Sequence, residues 1–122
     1  MSRDIEFRVI APDNQVYYLN VDSLLYETFS KRDEEGLKIS QYTGLKDGNW
    51  DKIFEDDILN FNAEEVRISV YRDEYQARWS FNEHRMLDDG SGRWNRDLNK
   101  KIADHCEVVG NMYQNIYLLS NY

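Results

Sequence analysis

Apolar side chains occur at every second position in several short stretches of this chain. In the first stretch Ile5, Phe7 and Val9 alternate with charged residues. A period of two is typical of a β-strand that is buried on one face only. The turn formers Pro-Asp-Asn at 12–14 separate this strand from a second apolar run at 16–21, and together the two runs predict a β-hairpin.

Five more segments with strand character follow, at 37–42, 53–61, 66–71, 77–81 and 106–109. The segments between them are too short for the long crossover helices that a parallel sheet requires. Residues 43–49 hold two glycines and are interpreted as a tight connection, and the spacing of Leu98 and Ile102 predicts a short helix within 97–104. The pattern therefore predicts a mainly β fold, in which antiparallel hairpins close into a small barrel with one or two short helices.

Composition and charge narrow the class of protein. The chain has 122 residues, enough for one domain, and 41% of them are hydrophobic, which is too many for a disordered segment. Its 15 basic and 23 acidic residues give a net charge of −8, which argues against direct binding to nucleic acids and to anionic membranes. No run approaches the ~20 apolar residues of a membrane span. The single cysteine, Cys106, cannot form an internal disulfide, so we expect a cytoplasmic protein.

Three segments carry a second and more specific signal. Residues 42–59 read Tyr-Thr-Gly-Leu-Lys-Asp, then a short turn, then Ile-Phe-Glu-Asp-Asp-Ile-Leu; residues 107–115 read Glu-Val-Val-Gly-Asn-Met-Tyr-Gln-Asn, and residues 5–8 read Ile-Glu-Phe-Arg. They are similar to the signature of the YopX-like family of prophage proteins, which runs approximately Ile-Lys-Phe-Arg, Tyr-Thr-Gly-Leu-Lys-Asp, a short turn, Ile-Phe/Tyr-Glu-Gly-Asp-Ile-Val and Val-Ile-Gly-Asn-Ile-Tyr-Glu-Asn. The segments keep the family's order and span nearly the whole chain.

The chain departs from the family pattern at three positions. Asp56 stands where the family has glycine, Trp50 replaces a glycine of the preceding turn, and Ile116 replaces a proline after the final asparagine. The change at Asp56 leaves open whether the family's tight turn is kept there. Residues 62–105 show little similarity to the family.

The resemblance implies a β-rich protein with a small, partly open SH3-like barrel in the cytoplasm of a bacterial host. It also implies one YopX-like unit over residues 1–122, which we divide into an N-terminal hairpin lobe, 1–41, and a barrel-like lobe with a C-terminal tail, 42–122. It further implies self-association and no established enzymatic activity, and it brings no catalytic residues to carry over.

The signature residues have a structural interpretation. Gly44 and Gly48 can take positive φ angles in turns, and Asp47 can accept a hydrogen bond from the backbone two residues further on. The apolar members of the Ile-Phe-Glu-Asp-Asp-Ile segment would fill the barrel. The residues that we expect to specify the fold are Tyr42, Thr43, Gly44, Leu45, Asp47, Ile53, Phe54, Glu55, Asp57, Ile58, Gly110 and Asn111.

Neither the carboxylate runs nor the thiol and imidazole groups form a catalytic or metal-binding pattern. Consecutive acidic residues in loops are predicted to be solvated rather than to do acid–base work or to hold a divalent cation. His105 and Cys106 are adjacent, so on a strand they point to opposite faces and could not easily share a zinc ion. No enzyme activity, metal or cofactor is predicted.

One segment offers chemistry for a small ligand. Arg93 and Arg96 flank Trp94 beside flexible glycines, which supplies charge and a stacking surface for a nucleotide. Arg78 and Arg85 are further candidate phosphate partners. The alternative interpretation is that Trp94 packs on the core.

The aromatic residues and the C-terminal tail indicate an interface. Nine tyrosines and three tryptophans exceed what one small core can hide, and both residue types are favoured at interfaces. The tail residues predicted to contact another subunit or a partner are Tyr113, Ile116, Tyr117, Leu118 and Leu119.

Four functional hypotheses remain open, and we favour the first. It is a non-catalytic phage or prophage accessory protein that acts by binding and forms a homo-oligomer. The second is an anti-defence protein whose acidic surface imitates nucleic-acid phosphates and blocks a host nuclease or another defence protein. The third is an anti-defence protein that sequesters a small nucleotide signal between subunits, and the fourth is a hydrolytic enzyme.

Overall fold

The computed structural model describes residues 5–20, 28–61, 66–84 and 96–120. Within them the strands are β1 Glu6–Ile10, β2 Val16–Asn20, β3 Lys38–Lys46, β4 Lys52–Phe54, β5 Asp57–Phe61, β6 Val66–Asp73, β7 Arg78–His84, β8 Arg96–Asp97 and β9 Cys106–Asn111. Short helices span Arg32–Glu35, Lys100–Ala103 and Tyr117–Ser120. None of the helices in these ranges is both long and apolar enough to cross a membrane.

The strands form two antiparallel sheets, ordered β2-β1-β3-β4 and β8-β7-β6-β5-β9. The predicted first hairpin is present, with Ile10 opposite Val16 and Glu6 opposite Asn20. The mainly β class, with antiparallel hairpins and short helices, is confirmed. The five-stranded sheet has β8 and β9 as its outer strands, and the predicted closure into a small SH3-like barrel stays a prediction.

The third strand links the two halves of the four-stranded sheet. Its first half pairs with β1, and its second half pairs with β4 at Tyr42 and Lys46. The strand β3 therefore crosses the boundary between the two predicted lobes, 1–41 and 42–122. The division into these lobes stays a prediction.

The prediction of a tight connection at 43–49 is wrong for its first half. The strand β3 continues to Lys46, and its register against β4 shifts between Tyr42 and Lys46. Gly44 lies in this irregular stretch with a φ of 86°, a left-handed conformation that glycine adopts without steric penalty. The glycine that indicated a turn in the sequence therefore marks a bulge inside a strand.

The strand predicted at 53–61 is divided into β4 and β5 by a tight turn at Glu55 and Asp56. Asp56 has a φ of 68°, so the left-handed turn is kept without glycine. Aspartate is among the few residues that visit this region routinely, because its short carboxylate can form local hydrogen bonds. The question that the sequence left open at position 56 is thus answered.

The buried cluster joins residues from both sheets. Ile53 comes from β4, and the remaining members come from the five-stranded sheet and the segment between β8 and β9. The members are Ile53, Leu59, Ile68, Val70, Phe81, Leu98, Ala103 and Cys106. Phe54 and Ile58 are also buried, which confirms the prediction that the apolar signature residues fill the core.

The Asp47 carboxylate organises the turn between β3 and β4. It is buried, and its Oδ1 accepts hydrogen bonds from the backbone N–H groups of Asn49 at 2.8 Å and Asp51 at 2.9 Å. The bond from Asn49 is the predicted one, from the backbone two residues further on. The other oxygen, Oδ2, accepts the N–H of Val108 at 2.9 Å, so one side chain joins this turn to β9.

Gly48, in the same turn, is required by space rather than by backbone conformation. The prediction of a positive φ is wrong for this residue. A Cβ atom here would lie 2.7 Å from the carbonyl oxygen of Asp104 and 3.3 Å from that of Cys106. The absence of a side chain therefore allows the turn to approach the segment that leads into β9.

Replacing Asp47 with alanine should lower the free energy of unfolding by about 2–4 kcal/mol, because three backbone N–H groups would lose their acceptor. Urea unfolding followed by circular dichroism measures this loss. Asp13→Ala is the matched control, since that exposed carboxylate accepts the backbone N–H of Gln15 at 3.1 Å, and its removal should cost about 1 kcal/mol or less. Equal losses in the two variants would contradict the role of Asp47.

Candidate functional site

A buried ion pair connects the two sheets. Arg8 on β1 donates a hydrogen bond to Oδ1 of Asp57 on β5, and the two residues are only 6% and 1% exposed. Arg8 also donates to the carbonyl oxygen of Glu55 at 3.1 Å, while Oδ2 of Asp57 accepts the N–H of Phe54 at 2.8 Å. The prediction that β1 is buried on one face only is wrong, because its charged face is covered as well.

Burial has the largest effect on the pKa of Asp57 in this pair. It raises the pKa of Asp57 to about 6, although the Arg8 guanidinium and the Phe54 N–H act in the opposite direction. The guanidinium also lies 5.1 Å from the centroid of the Phe54 ring. The positive charge of Arg8 is thus enclosed by a carboxylate, a carbonyl group and an aromatic ring.

The turn between β4 and β5 anchors the start of the C-terminal tail. Oδ2 of Asp56 accepts the hydroxyl hydrogen bond of Tyr113 at 2.8 Å, and the Asp56 carbonyl oxygen accepts the N–H of Met112 at 2.8 Å. Burial and the neighbouring Asp56 carboxylate raise the pKa of Tyr113 well above its usual value. The residue that replaces the family's glycine therefore has a structural contact that glycine could not make.

A cleft of about 490 Å³ opens beside the ion pair. We call it the Trp50 cleft, and it is lined by Glu6, Arg8, Tyr18, Trp50, Asp51, Lys52, Phe54, Asp57 and Val108. Two of its aromatic residues are open to solvent, Trp50 at 79% and Tyr18 at 55%. Lys52 forms an ion pair with Glu6 at the same cleft.

Trp50 combines exposure with an unfavourable backbone. Its φ is 70°, a left-handed conformation that costs a bulky residue about 1–2 kcal/mol. The Lys46 ammonium lies 5.9 Å from the centroid of its ring. Trp50 was not among the site residues predicted from the sequence. Its replacement of a family glycine was the feature that could have identified it.

A second cleft, of about 720 Å³, opens between the sheets. We call it the inter-sheet cleft, and it is lined by Ile5, Gln41, Tyr42, Thr43, Gly44, Leu45, Arg72, Ala77, Arg78, Trp79, Asp97 and Leu98. Arg78 is the predicted ligand residue that the structure places here. Arg72 also lines this cleft, and its guanidinium lies 5.2 Å from the centroid of the Trp79 ring. Arg72 was not among the ligand residues predicted from the sequence. The register of the β6–β7 hairpin, which sets Arg72 opposite Trp79, could have identified it.

The other predicted ligand residues cannot be assigned to this cleft. Arg85, Arg93 and Trp94 lie outside the described residues. Arg96 is in β8, where its backbone is opposite Phe81, and its side chain is outside the described part of the chain. The predicted grouping of these residues around one ligand therefore stays a prediction.

The C-terminal tail is anchored and yet exposes apolar side chains. Asn111 is buried, and its Oδ1 accepts the N–H groups of Tyr113 at 3.0 Å and Gln114 at 2.9 Å, which forms the turn after β9. Further along, the Leu118 carbonyl accepts a hydrogen bond from the Arg67 guanidinium. Of the five predicted interface residues, Tyr113, Ile116 and Tyr117 are exposed, while Leu118 and Leu119 are half-buried.

The thiol of Cys106 is held in an unreactive environment. Cys106 is buried, and burial raises its pKa to about 12, so the thiol is protonated at neutral pH. Ser69 Oγ and His84 Nε2 are 3.0 Å apart on adjacent strands, a pair that sequence reasoning missed because its members are 15 positions apart. Neither lines the two clefts. Within the described ranges, no cluster of three potential metal ligands occurs.

Comparison with known proteins identifies the family. Residues 6–120 match the YopX protein family, and the chain belongs to this family, as the sequence segments predicted. Membership indicates a phage-associated protein. The crystal structure of protein EF1440 from Enterococcus faecalis is similar, with 24% sequence identity, a TM-score of 0.50, and coverage of 97% of this chain and 99% of that chain. This likeness concerns the fold. No curated protein matches the sequence.

We expect the free energy of unfolding to fall as the pH rises from about 4 to about 6. An aspartate in the unfolded chain has a pKa of about 3.9, whereas Asp57 in the folded protein has a pKa of about 6. Between these values the folded state holds a proton that the unfolded state has lost, so a rising pH favours unfolding. The contribution is complete below about pH 4 and is lost above about pH 6, and it amounts to about 3 kcal/mol at most.

Urea unfolding at intervals between pH 4 and pH 7.5 measures this dependence, with Asp57→Asn as the comparison variant. Above about pH 6 the variant should be less stable than the wild type, because Arg8 loses its ionic partner, and its stability should change less across the same pH interval. Burial also raises the pKa of Glu55. Because both proteins contain Glu55, its contribution to the pH dependence cancels when the two stability profiles are subtracted. Parallel pH profiles would contradict the assignment to Asp57.

Proposed function

We propose that this YopX-family protein is a non-catalytic phage accessory protein that binds another protein through the Trp50 cleft. Family membership supports the phage association. The observation that carries the binding role is Trp50, whose indole is exposed although its backbone conformation disfavours a large side chain. The buried, protonated thiol of Cys106 is in keeping with a role without covalent catalysis.

Folding alone gives no reason for tryptophan at position 50. An exposed indole gains little from burial, and a left-handed backbone disfavours it. Residues held in such conformations cluster at binding and catalytic sites. Tryptophan and tyrosine are also the residues that most often dominate the energy of protein interfaces. Trp50 and Tyr18 on one cleft are therefore suited to anchor a partner.

The charge around this cleft favours a basic partner. Three acidic residues and two basic ones line it, and the whole chain has a net charge of −8. Lysine or arginine side chains of a partner could lie on the Tyr18 ring or on the face of Trp50 opposite Lys46, an attraction of about 0.5–1 kcal/mol at such sites. The acidic chain would at the same time steer a basic surface toward it. This chemistry is that of the acidic-inhibitor hypothesis, whose partner is a host nuclease or another defence protein.

Self-association is a second candidate role, and the tail favours it. Tyr113, Ile116 and Tyr117 expose apolar surface close together in sequence. The segment is held to the body through Asp56 and Arg67 rather than left loose. An ordered apolar surface of this kind is typical of protein contacts, and a second copy of the chain is the partner that the homo-oligomer hypothesis requires.

Trp50→Gly should abolish partner binding without destabilising the fold. Glycine accepts the left-handed backbone, so the free energy of unfolding should stay the same or rise by up to about 1 kcal/mol. Affinity capture from phage-infected bacteria, with retained proteins quantified for wild type and variant, measures binding. Partners held by charge should also be released as the salt concentration rises.

Tyr75→Ala is the matched control, since Tyr75 is fully exposed, lies in the loop between β6 and β7 and does not line the Trp50 cleft. It should retain the same partners as the wild type. If Trp50→Gly captures every protein that the wild type captures, the cleft is not the binding surface.

A variant with Ile116→Lys and Tyr117→Lys should be monomeric where the wild type is oligomeric, because burying two lysines in a subunit contact is unfavourable. Light scattering coupled to size-exclusion chromatography measures the mass of each. Tyr75→Lys adds a charge at an exposed residue elsewhere and should leave the mass unchanged. A wild-type protein that stays monomeric at high concentration would rule out this role for the tail.

A further inference from the structure

We propose that the inter-sheet cleft binds a nucleotide, a role separate from the protein contact at Trp50. The cleft lies between β3 of one sheet and the β6–β7 hairpin and β8 of the other. Its volume of about 720 Å³ is within the roughly 300–1,000 Å³ that small-molecule sites occupy. Its position between two layers gives a ligand protein contacts on opposite sides.

Arg72 supplies the first recognition group. Its guanidinium carbon lies 5.2 Å from the centroid of the Trp79 ring, a cation–π contact that holds the positive charge at the cleft. The N–H groups of a guanidinium can donate hydrogen bonds to the oxygens of a phosphate. Trp79 is half-buried and packs against the core cluster, which fixes the surface on which Arg72 rests.

Arg78 supplies the second positive group from the neighbouring strand. Its Nε is 4.0 Å from Oδ2 of Asp73, and its side chain is 32% exposed. The two groups form an ion pair at a distance too long for a hydrogen bond from this nitrogen. Two arginines on one hairpin thus border the same cleft.

The opposite wall provides room and apolar surface. Gly44 lies in the β3 bulge with a φ of 86°, and nothing lies within 4 Å of the place where its Cβ would be. Leu45 lines the same wall, while the buried Leu98 belongs to the side of β8. A planar base fits beside the exposed backbone of Gly44 and the side chain of Leu45, which offer contact area without requiring a charge.

The charges point to a small phosphate ester rather than to a nucleic acid. Arg72 and Arg78 line the cleft together with one aspartate, Asp97, and Arg78 is also paired with Asp73, whereas the chain as a whole has a net charge of −8. A long polyanion would meet the repulsion of the whole protein, but a mononucleotide would interact mainly with the cleft. A ligand that combines a phosphate with a planar ring uses both walls.

Isothermal titration calorimetry of the full chain with AMP, adenosine and ribose 5-phosphate tests this proposal. AMP should bind saturably and at least about tenfold more tightly than either fragment, because only AMP uses the arginines and the apolar wall together. Arg72→Gln and Arg78→Gln should each weaken AMP binding by about tenfold. Arg78→Lys, which keeps the charge, should lose less.

Arg32→Gln is the matched control, since Arg32 also lies over an aromatic ring, that of Phe29 at 6.0 Å, but does not line the cleft. It should bind AMP as the wild type does. The proposal is overturned if AMP, GMP, CMP and UMP all fail to bind saturably at up to about 1 mM. It is also overturned if Arg32→Gln weakens binding as much as the cleft variants do. Circular dichroism of each variant verifies that the fold is kept.

Discussion

The two sheets are joined by Arg8 and Asp57, a pair of opposite charges almost wholly removed from water. A buried charge that loses its partner destabilises a protein by about 3–5 kcal/mol, so neither residue can keep its place without the other. The strand β1 must therefore lie where the guanidinium reaches β5, and Glu55 and Phe54 contribute the remaining backbone contacts. The Trp50 cleft borders this pair, so its walls come from both sheets. The shape of the candidate site is thus a consequence of how the pair is buried.

Two glycines of the family pattern are replaced here, with different consequences. Asp56 and Trp50 both keep a left-handed backbone, with φ angles of 68° and 70°. Asp56 tolerates this conformation and uses its carboxylate to hold Tyr113. Trp50 leaves its ring in solvent. The same left-handed backbone is therefore accompanied by a structural contact in one turn and by an exposed aromatic side chain in the other.

Features set by neighbouring residues could be predicted from the sequence, whereas contacts between distant residues could not. The hairpins β1–β2 and β6–β7 follow from alternation and short polar turns, which are local. Arg8 has the pattern of a solvent-facing charge, and only Asp57, 49 positions away, makes its burial possible. Gly44 indicated a turn because glycine serves turns and bulges alike. Arg78 was recognised as a ligand candidate by its charge alone, while Arg72 needed the hairpin register that sets it opposite Trp79.

The Asp47 carboxylate has a consequence for the order in which the chain folds. Two of its donors are close in sequence, but the third, Val108, is 61 positions away. Closing so long a loop is entropically unfavourable, and distant contacts of this kind slow folding. Among the described strands, β9 is synthesised last. Until then the Asp47 carboxylate lacks its third donor, and the edge of β5 that pairs with β9 stays unpaired. A stalled or truncated chain that lacks β9 would present that edge to other proteins, so the arrival of β9 limits how long the growing chain is exposed to aggregation.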